Sequence, residues 1–166
     1  IAKLIDGADT KFFGLMRKSQ FKQILSCFYW AVNGFLEGRE IFTLKLSQIQ
    51  NQHGNLLKQI GLPVNMSSCL MLYAFFYVAN FNLLLVKNVH KIIFMEDIIA
   101  NPAGLIENIG IPTDSKIDST VGMGPSHANK VKEYTFLSNA DEILEKILKD
   151  ARINFGDESY NIQDIQ

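Results

Sequence analysis

The chain has 166 residues, of which 48% are hydrophobic and 20% charged, so it has the length of one domain and enough apolar material for one core. Its net charge of −1, from 16 basic and 17 acidic side chains, excludes a global field that would hold nucleic acid or an anionic membrane, so any anion site must be local. Two cysteines, Cys27 and Cys69, give neither a disulfide framework nor metal-ligand spacing, so we expect no metal and a cytoplasmic location.

The first predicted elements are a strand and a helix. Residues 11–16 (KFFGLM) form an apolar run of strand length that ends at Arg17. Residues 19–30 then take on helical spacing, with Ser19 in a position suited to an N-cap. The apolar stripe of this helix, at i, i+3, i+4 and i+7, consists of Phe21, Ile24, Leu25 and Phe28.

Two further helices are predicted next. The glycines of residues 33–40 indicate a loop, and apolar spacing predicts a helix over 44–60 that ends at Gly61 and Pro63. Residues 66–86 are expected to form a central buried helix, although their aromatic and β-branched residues also fit a strand. Within them, residues 69–86 carry no charge and reach the lower length limit of a membrane span; the two asparagines inside this run favour a buried helix.

The second half of the chain continues the alternation. Residues 91–95 (KIIFM) predict a second strand, and Asn101 followed by proline predicts a helix to about residue 109. Glycine, serine and proline indicate a loop over 113–128. A last helix is predicted after Ser138, with an apolar face made of Ile143, Leu144, Ile147 and Leu148.

This order predicts an α/β domain over residues 1–156, with a parallel sheet flanked by helices, followed by a polar tail over 157–166. Arg17, at the carboxyl end of a buried parallel strand, would lie where open α/β sheets bind ligands, and guanidinium binds phosphate through paired hydrogen bonds. Ser26 would add one hydroxyl if its helix bends toward the ligand. By composition alone, an arginine in this position is more often a salt-bridge partner or a solvated surface residue.

Three segments resemble sulfotransferases that use 3′-phosphoadenosine 5′-phosphosulfate. KFFGLMRKSQFKQILSCFYW (11–30) is similar to the family's strand ending in arginine and its helix bearing serine. VHKIIFMEDIIANPAGLIENIGIP (89–112) is similar to its strand, acidic pair, Asn-Pro and helix. Residues 126–134 resemble its basic loop. The three matches follow the family's order and together span about residues 5–151.

The resemblance implies a P-loop-like sulfotransferase fold that is N-terminally incomplete, because the family's loop for the 5′-phosphosulfate has no counterpart here. It implies that Arg17, Ser26, Lys130 and Lys132 bind the 3′-phosphate of the donor nucleotide, without a metal. The implied activity is transfer of a sulfuryl group to a hydroxyl or amine of a small-molecule or carbohydrate acceptor. No catalytic residue is assigned, because in the family the base comes largely from upstream of this segment.

Two alternatives remain open. In the first, a non-catalytic domain of the same fold docks a partner, since Lys18-Ser19 replaces the family's Asp/Asn-Pro and one extra residue precedes Ser26. In the second, the protein is membrane-attached through residues 69–86. For Lys130 and Lys132, the simpler interpretation is a pair of solvated lysines.

Overall fold

The computed structural model describes residues 11–101 and 139–154, with side chains up to residue 149. The chain forms two compact units. The first, called here the strand unit, comprises residues 1–18 and 80–122; the second, the helical unit, comprises residues 19–79 and 123–166. The described part is mostly helical and contains one two-stranded parallel sheet.

Seven elements follow one another along the described chain. They are β1 (Phe13–Met16), α1 (Gln20–Leu36), α2 (Glu40–Gln59), α3 (Met66–Asn88), β2 (Lys91–Phe94), α4 (Met95–Ala100) and α5 (Ala140–Asn154).

The strand unit contains both predicted strands, and they pair in parallel. Phe13 lies opposite Lys91 and Met16 opposite Phe94. Along β1 the burial alternates, with Gly14 and Met16 buried and Phe13 and Leu15 exposed. Gly14 packs closely, because a Cβ there would lie 3.1 Å from Val89 Cγ2. The strand predictions and their parallel relation are confirmed, whereas a P-loop-like fold stays a prediction.

Phe12 and His90, which precede the paired residues Phe13 and Lys91, are also hydrogen-bonded to each other. The Phe12 amide donates to Nδ1 of His90 at 3.0 Å, and the His90 amide donates to the Phe12 carbonyl oxygen at 2.8 Å. The two rings also stack, with centroids 6.1 Å apart. The junction between α3 and β2 is therefore tied to the start of β1.

The helical unit has a core built from its long helices. Its buried apolar side chains include Ile24, Phe28 and Val32 of α1, Phe42, Ile49 and Leu57 of α2, Leu70, Met71, Leu72 and Phe75 of α3, and Ile143, Leu144 and Ile147 of α5. Each large side chain removed from water in this way contributes about 1.5–3 kcal/mol. The predicted apolar faces of α1 and α5 are confirmed.

The loop predicted over residues 33–40 is wrong in its first half. Helix α1 continues to Leu36, and Gly34 is buried inside it rather than in a turn. The reason is packing, because the ring of Phe42 occupies the space where a Cβ of Gly34 would be. The turn itself is made by Gly38 with φ of 72°, and α2 begins at Glu40, four residues before the predicted start. Gly61, also at φ of 72°, confirms the predicted end of that helix.

Helix α3 confirms the predicted central helix. It is the one helix of the described chain whose length and composition would allow it to cross a membrane, and 44% of its most apolar window is buried inside the protein. The core helix of a soluble protein meets the same criterion. Its first half supplies much of the helical core, whereas Leu84 near its end is 61% exposed.

Several sequence predictions fall outside the described residues. They concern the helix after Asn101, the loop over 113–128, the cap at Ser138 and the tail over 157–166. The short helix α4 was not predicted. Helix α5 begins at Ala140 with Asn139 in the N-cap position, since the Asn139 carbonyl oxygen accepts the Ile143 amide at 3.0 Å.

The packing at Gly34 gives a test of the helical core. We expect Gly34→Ala to lower the free energy of unfolding by about 1–3 kcal/mol, because the added methyl group overpacks against the buried Phe42 ring. In the matched control Gly54→Ala, the new Cβ meets Val64 Cγ1 at an ordinary 3.6 Å. That variant should gain about 0.5–1 kcal/mol from helix propensity. Urea unfolding measures both, and equal stability of the two variants would contradict this packing.

Candidate anion site

The candidate site lies at the carboxyl edge of the two-stranded sheet. Because Met16 pairs with Phe94, both strands end at the same level. Arg17 directly follows β1, and α4 directly follows β2. The side chain of Arg17 is half-buried and forms no ion pair with another described residue. The sheet therefore places a guanidinium group at the edge where the sequence predicted a ligand.

Lys18 joins this edge to the first turn of α4. Its amide donates a hydrogen bond to Glu96 Oε2 at 3.0 Å. Its ammonium Nζ lies 2.5 Å from Asp97 Oδ1, in an ion pair whose side chains are both more than half exposed. Such an exposed pair contributes little stability, on the order of 0–1 kcal/mol. The contacts nevertheless fix how the chain turns after Arg17.

The carboxylate of Glu96 is kept ionised by its surroundings. The hydrogen bond from the Lys18 amide lowers the pKa of Glu96 below its ordinary value of 4.5, and the amide of Glu96 itself acts in the same direction. Partial desolvation raises this pKa and so opposes the shift, while the positive charges of Arg17 and Lys18 lower it further. Glu96 therefore presents a negative charge to Arg17 at neutral pH.

This arrangement can bind an anion. The guanidinium of Arg17 offers planar donors that match phosphate or sulfate oxygens. An incoming anion would compete with the carboxylate of Glu96 for this positive charge. Glu96 and Asp97, the acidic pair of segment 89–112, lie in the first turn of α4.

Ser26, which was predicted to bind the ligand together with Arg17, belongs to the helical unit, as does the predicted N-cap Ser19. Ser19 is the N-cap of α1, as predicted, and its hydroxyl oxygen accepts the Lys22 amide at 3.3 Å. Ser26 is exposed and is the seventh residue of α1, about 9 Å along the helix from its first residue. Arg17 belongs to the strand unit, so a joint site of Arg17 and Ser26 stays a prediction.

The remaining site predictions concern other parts of the chain. Lys130 and Lys132 lie outside the described residues. Within the ranges 11–101 and 139–149, no group of three or more metal-ligating side chains comes together.

No family model matches the sequence, and neither a curated protein nor a solved structure matches the chain. The resemblance to sulfotransferases therefore depends on the sequence motifs alone.

The sequence did not indicate the contacts of Lys18. Its partners are 78 and 79 positions further along the chain. The departure from the family pattern at Lys18-Ser19 was visible in the sequence, but what Lys18 contacts depends on the strand pairing. A basic residue after one strand and an acidic pair after the other is the signal that could have predicted it.

The lowered pKa of Glu96 predicts an acid-sensitive contact. Because the folded-state pKa lies below the unfolded value of 4.5, Glu96 contributes stability above that value and loses it as the pH falls through the folded pKa. We expect the free energy of unfolding of Glu96→Gln to fall less steeply than that of wild type as the pH is lowered into the acid range. Urea unfolding over a pH series measures this difference. The control is Glu145→Gln, at an exposed position of α5, which should follow the wild-type curve. Coincident curves for wild type and Glu96→Gln would contradict this role of Glu96.

Proposed function

We propose that this chain is the donor-binding part of a sulfotransferase with a P-loop-like α/β fold. The observation that carries the proposal is the parallel pairing of β1 with β2. These strands belong to the two segments, 11–30 and 89–112, that most resemble the family. The pairing puts Arg17 and the acidic pair of the second segment at one edge of the sheet, which supports reading the two segments as parts of one site.

The proposed ligand group is the 3′-phosphate of 3′-phosphoadenosine 5′-phosphosulfate. Arg17 would hold it through charge-assisted hydrogen bonds, which are stronger than neutral ones and are frequently bidentate between arginine and phosphate. Ser26 would add a hydroxyl, and Lys130 and Lys132 would add positive charge from the loop before α5. No metal is required, because the positive charge comes from side chains.

The proposed reaction transfers a sulfuryl group to a hydroxyl or amine of a small-molecule or carbohydrate acceptor. The acceptor atom bonds to sulfur, the bond between sulfur and the phosphate oxygen breaks, and adenosine 3′,5′-bisphosphate leaves. The acceptor proton passes to a base, for which none of these residues is proposed. In this scheme Arg17 and its companions position the nucleotide and do not touch the transferring group. A cytoplasmic location belongs to the same proposal.

One observation favours a second candidate, a non-catalytic interaction domain. The carboxylate of Glu96 accepts the amide of Lys18, the residue that follows Arg17, and it attracts the charge of Arg17. In this alternative the acidic side chain takes the role of the bound anion, and the chain binds no nucleotide.

Binding of adenosine 3′,5′-bisphosphate, measured by calorimetry at low and moderate salt, tests the proposal. We expect saturable binding that Arg17→Ala weakens about 10- to 100-fold, because a charge-assisted pair of hydrogen bonds is lost. The matched control is Arg39→Ala, which removes an exposed arginine paired with Glu37 and should bind like wild type.

The outcomes separate the two candidates. Equal binding by wild type and Arg17→Ala would place the nucleotide elsewhere and contradict the proposed site. Absence of binding in the wild type, with binding gained in Glu96→Gln, would support the interaction domain in which Glu96 takes the place of the anion.

A further inference from the structure

A polar cavity in the helical unit lies where two helices begin. Its volume is about 160 Å³, and it lies between the first turns of α3 and α5. Its polar lining consists of Asn65 and Ser67 from the start of α3, Asn139 and Glu142 from the start of α5, and Lys146 one turn further along α5. At about 30 Å³ for each water, the cavity has room for a tetrahedral oxyanion and some of its water.

At the start of each helix, some backbone amides have no hydrogen-bond acceptor within the helix. Asn65 caps α3, with its side-chain oxygen accepting the Ser68 amide and its carbonyl oxygen accepting the Cys69 amide, each at 3.0 Å. Asn139 occupies the same position before α5. The remaining amides of each first turn have no acceptor within their helix, and each helix start carries about half a positive charge. Two such ends on one cavity favour an anion.

A buried hydroxyl provides a second and independent observation. Ser67 lines the cavity and is only 7% exposed, and its hydroxyl has no hydrogen-bond partner among the described residues. Buried polar groups are nearly always hydrogen-bonded, so the Ser67 hydroxyl must find its partner in the group that occupies the cavity.

The charged side chains at the cavity indicate which kind of anion it binds. Lys146 is exposed and forms no ion pair with the described residues, so its ammonium is available to an anion. Glu142 lines the same cavity, and a carboxylate can only accept hydrogen bonds. An anion beside it must therefore carry a proton to donate. Hydrogen phosphate has such a proton, whereas sulfate at neutral pH has none.

We infer that this cavity binds inorganic hydrogen phosphate between the first turns of α3 and α5. The amides of Met66 and Ser67, the Ser67 hydroxyl and Lys146 bind its unprotonated oxygens. Glu142 accepts its proton in a hydrogen bond and so discriminates against sulfate. This site is independent of the function proposed for Arg17.

Titration of the full chain with inorganic phosphate, followed by the backbone amide resonances of residues 66, 67 and 140, tests this inference. We expect saturable shifts at these amides, with affinity lowered about tenfold in Lys146→Met and also lowered in Ser67→Ala. The control Lys149→Met changes an exposed lysine of the same helix that does not line the cavity, and it should bind like wild type. Arg17→Ala should also leave these shifts unchanged, which separates this site from the candidate donor site.

Sulfate provides the second arm of the experiment. Wild type should bind sulfate at least about tenfold more weakly than phosphate, and Glu142→Gln should remove most of this difference, because the amide group can donate as well as accept. Absence of saturable shifts with phosphate, or unchanged affinity in Lys146→Met, would overturn the site. Equal binding of both anions by wild type would overturn the assignment of hydrogen phosphate.

Discussion

The candidate site depends on the register between two short parallel strands. Parallel strands need a long crossover connection, which here consists of α1, α2 and α3. The register decides that Arg17 follows Met16 at the level where α4 begins after Phe94. A slip of one residue would reverse which side chains of β1 face inward, and Gly14 would no longer meet Val89. The positions of Arg17, Lys18 and Glu96 are thus consequences of backbone pairing.

The helical unit is organised by packing, and this limits its chemistry. Burial raises the pKa of Cys27 to about 12, and it also raises the pKa of Cys69. Both thiols therefore remain protonated at neutral pH, in the form that is a poor nucleophile and a poor metal ligand. The aromatic side chains have a similar structural role, since the rings of Trp30 and Phe42 meet edge to face at 4.9 Å.

The sequence predicted elements whose signals are local and missed features decided by distant residues. Both strands and the helices α3 and α5 follow from apolar runs and caps within each segment. Gly34 was misread as a turn residue because its role depends on Phe42, which packs against it from the next helix. The contacts of Lys18 depend on a strand pairing across 78 positions. The local pattern that placed Arg17 could not reveal that a carboxylate would be its neighbour.

The net charge of the side chains around Arg17 affects how strongly an anion binds at the edge of the sheet. Arg17 and Lys18 bring two positive charges, but Glu96 and Asp97 bring two negative ones, so these four side chains cancel. Because the pKa of Glu96 is lowered, its carboxylate stays ionised near neutral pH and its negative charge persists. A phosphate dianion bound at Arg17 therefore needs further positive charge from elsewhere. In the proposed donor site Lys130 and Lys132 would supply this charge, and Arg17 alone would bind the phosphate weakly.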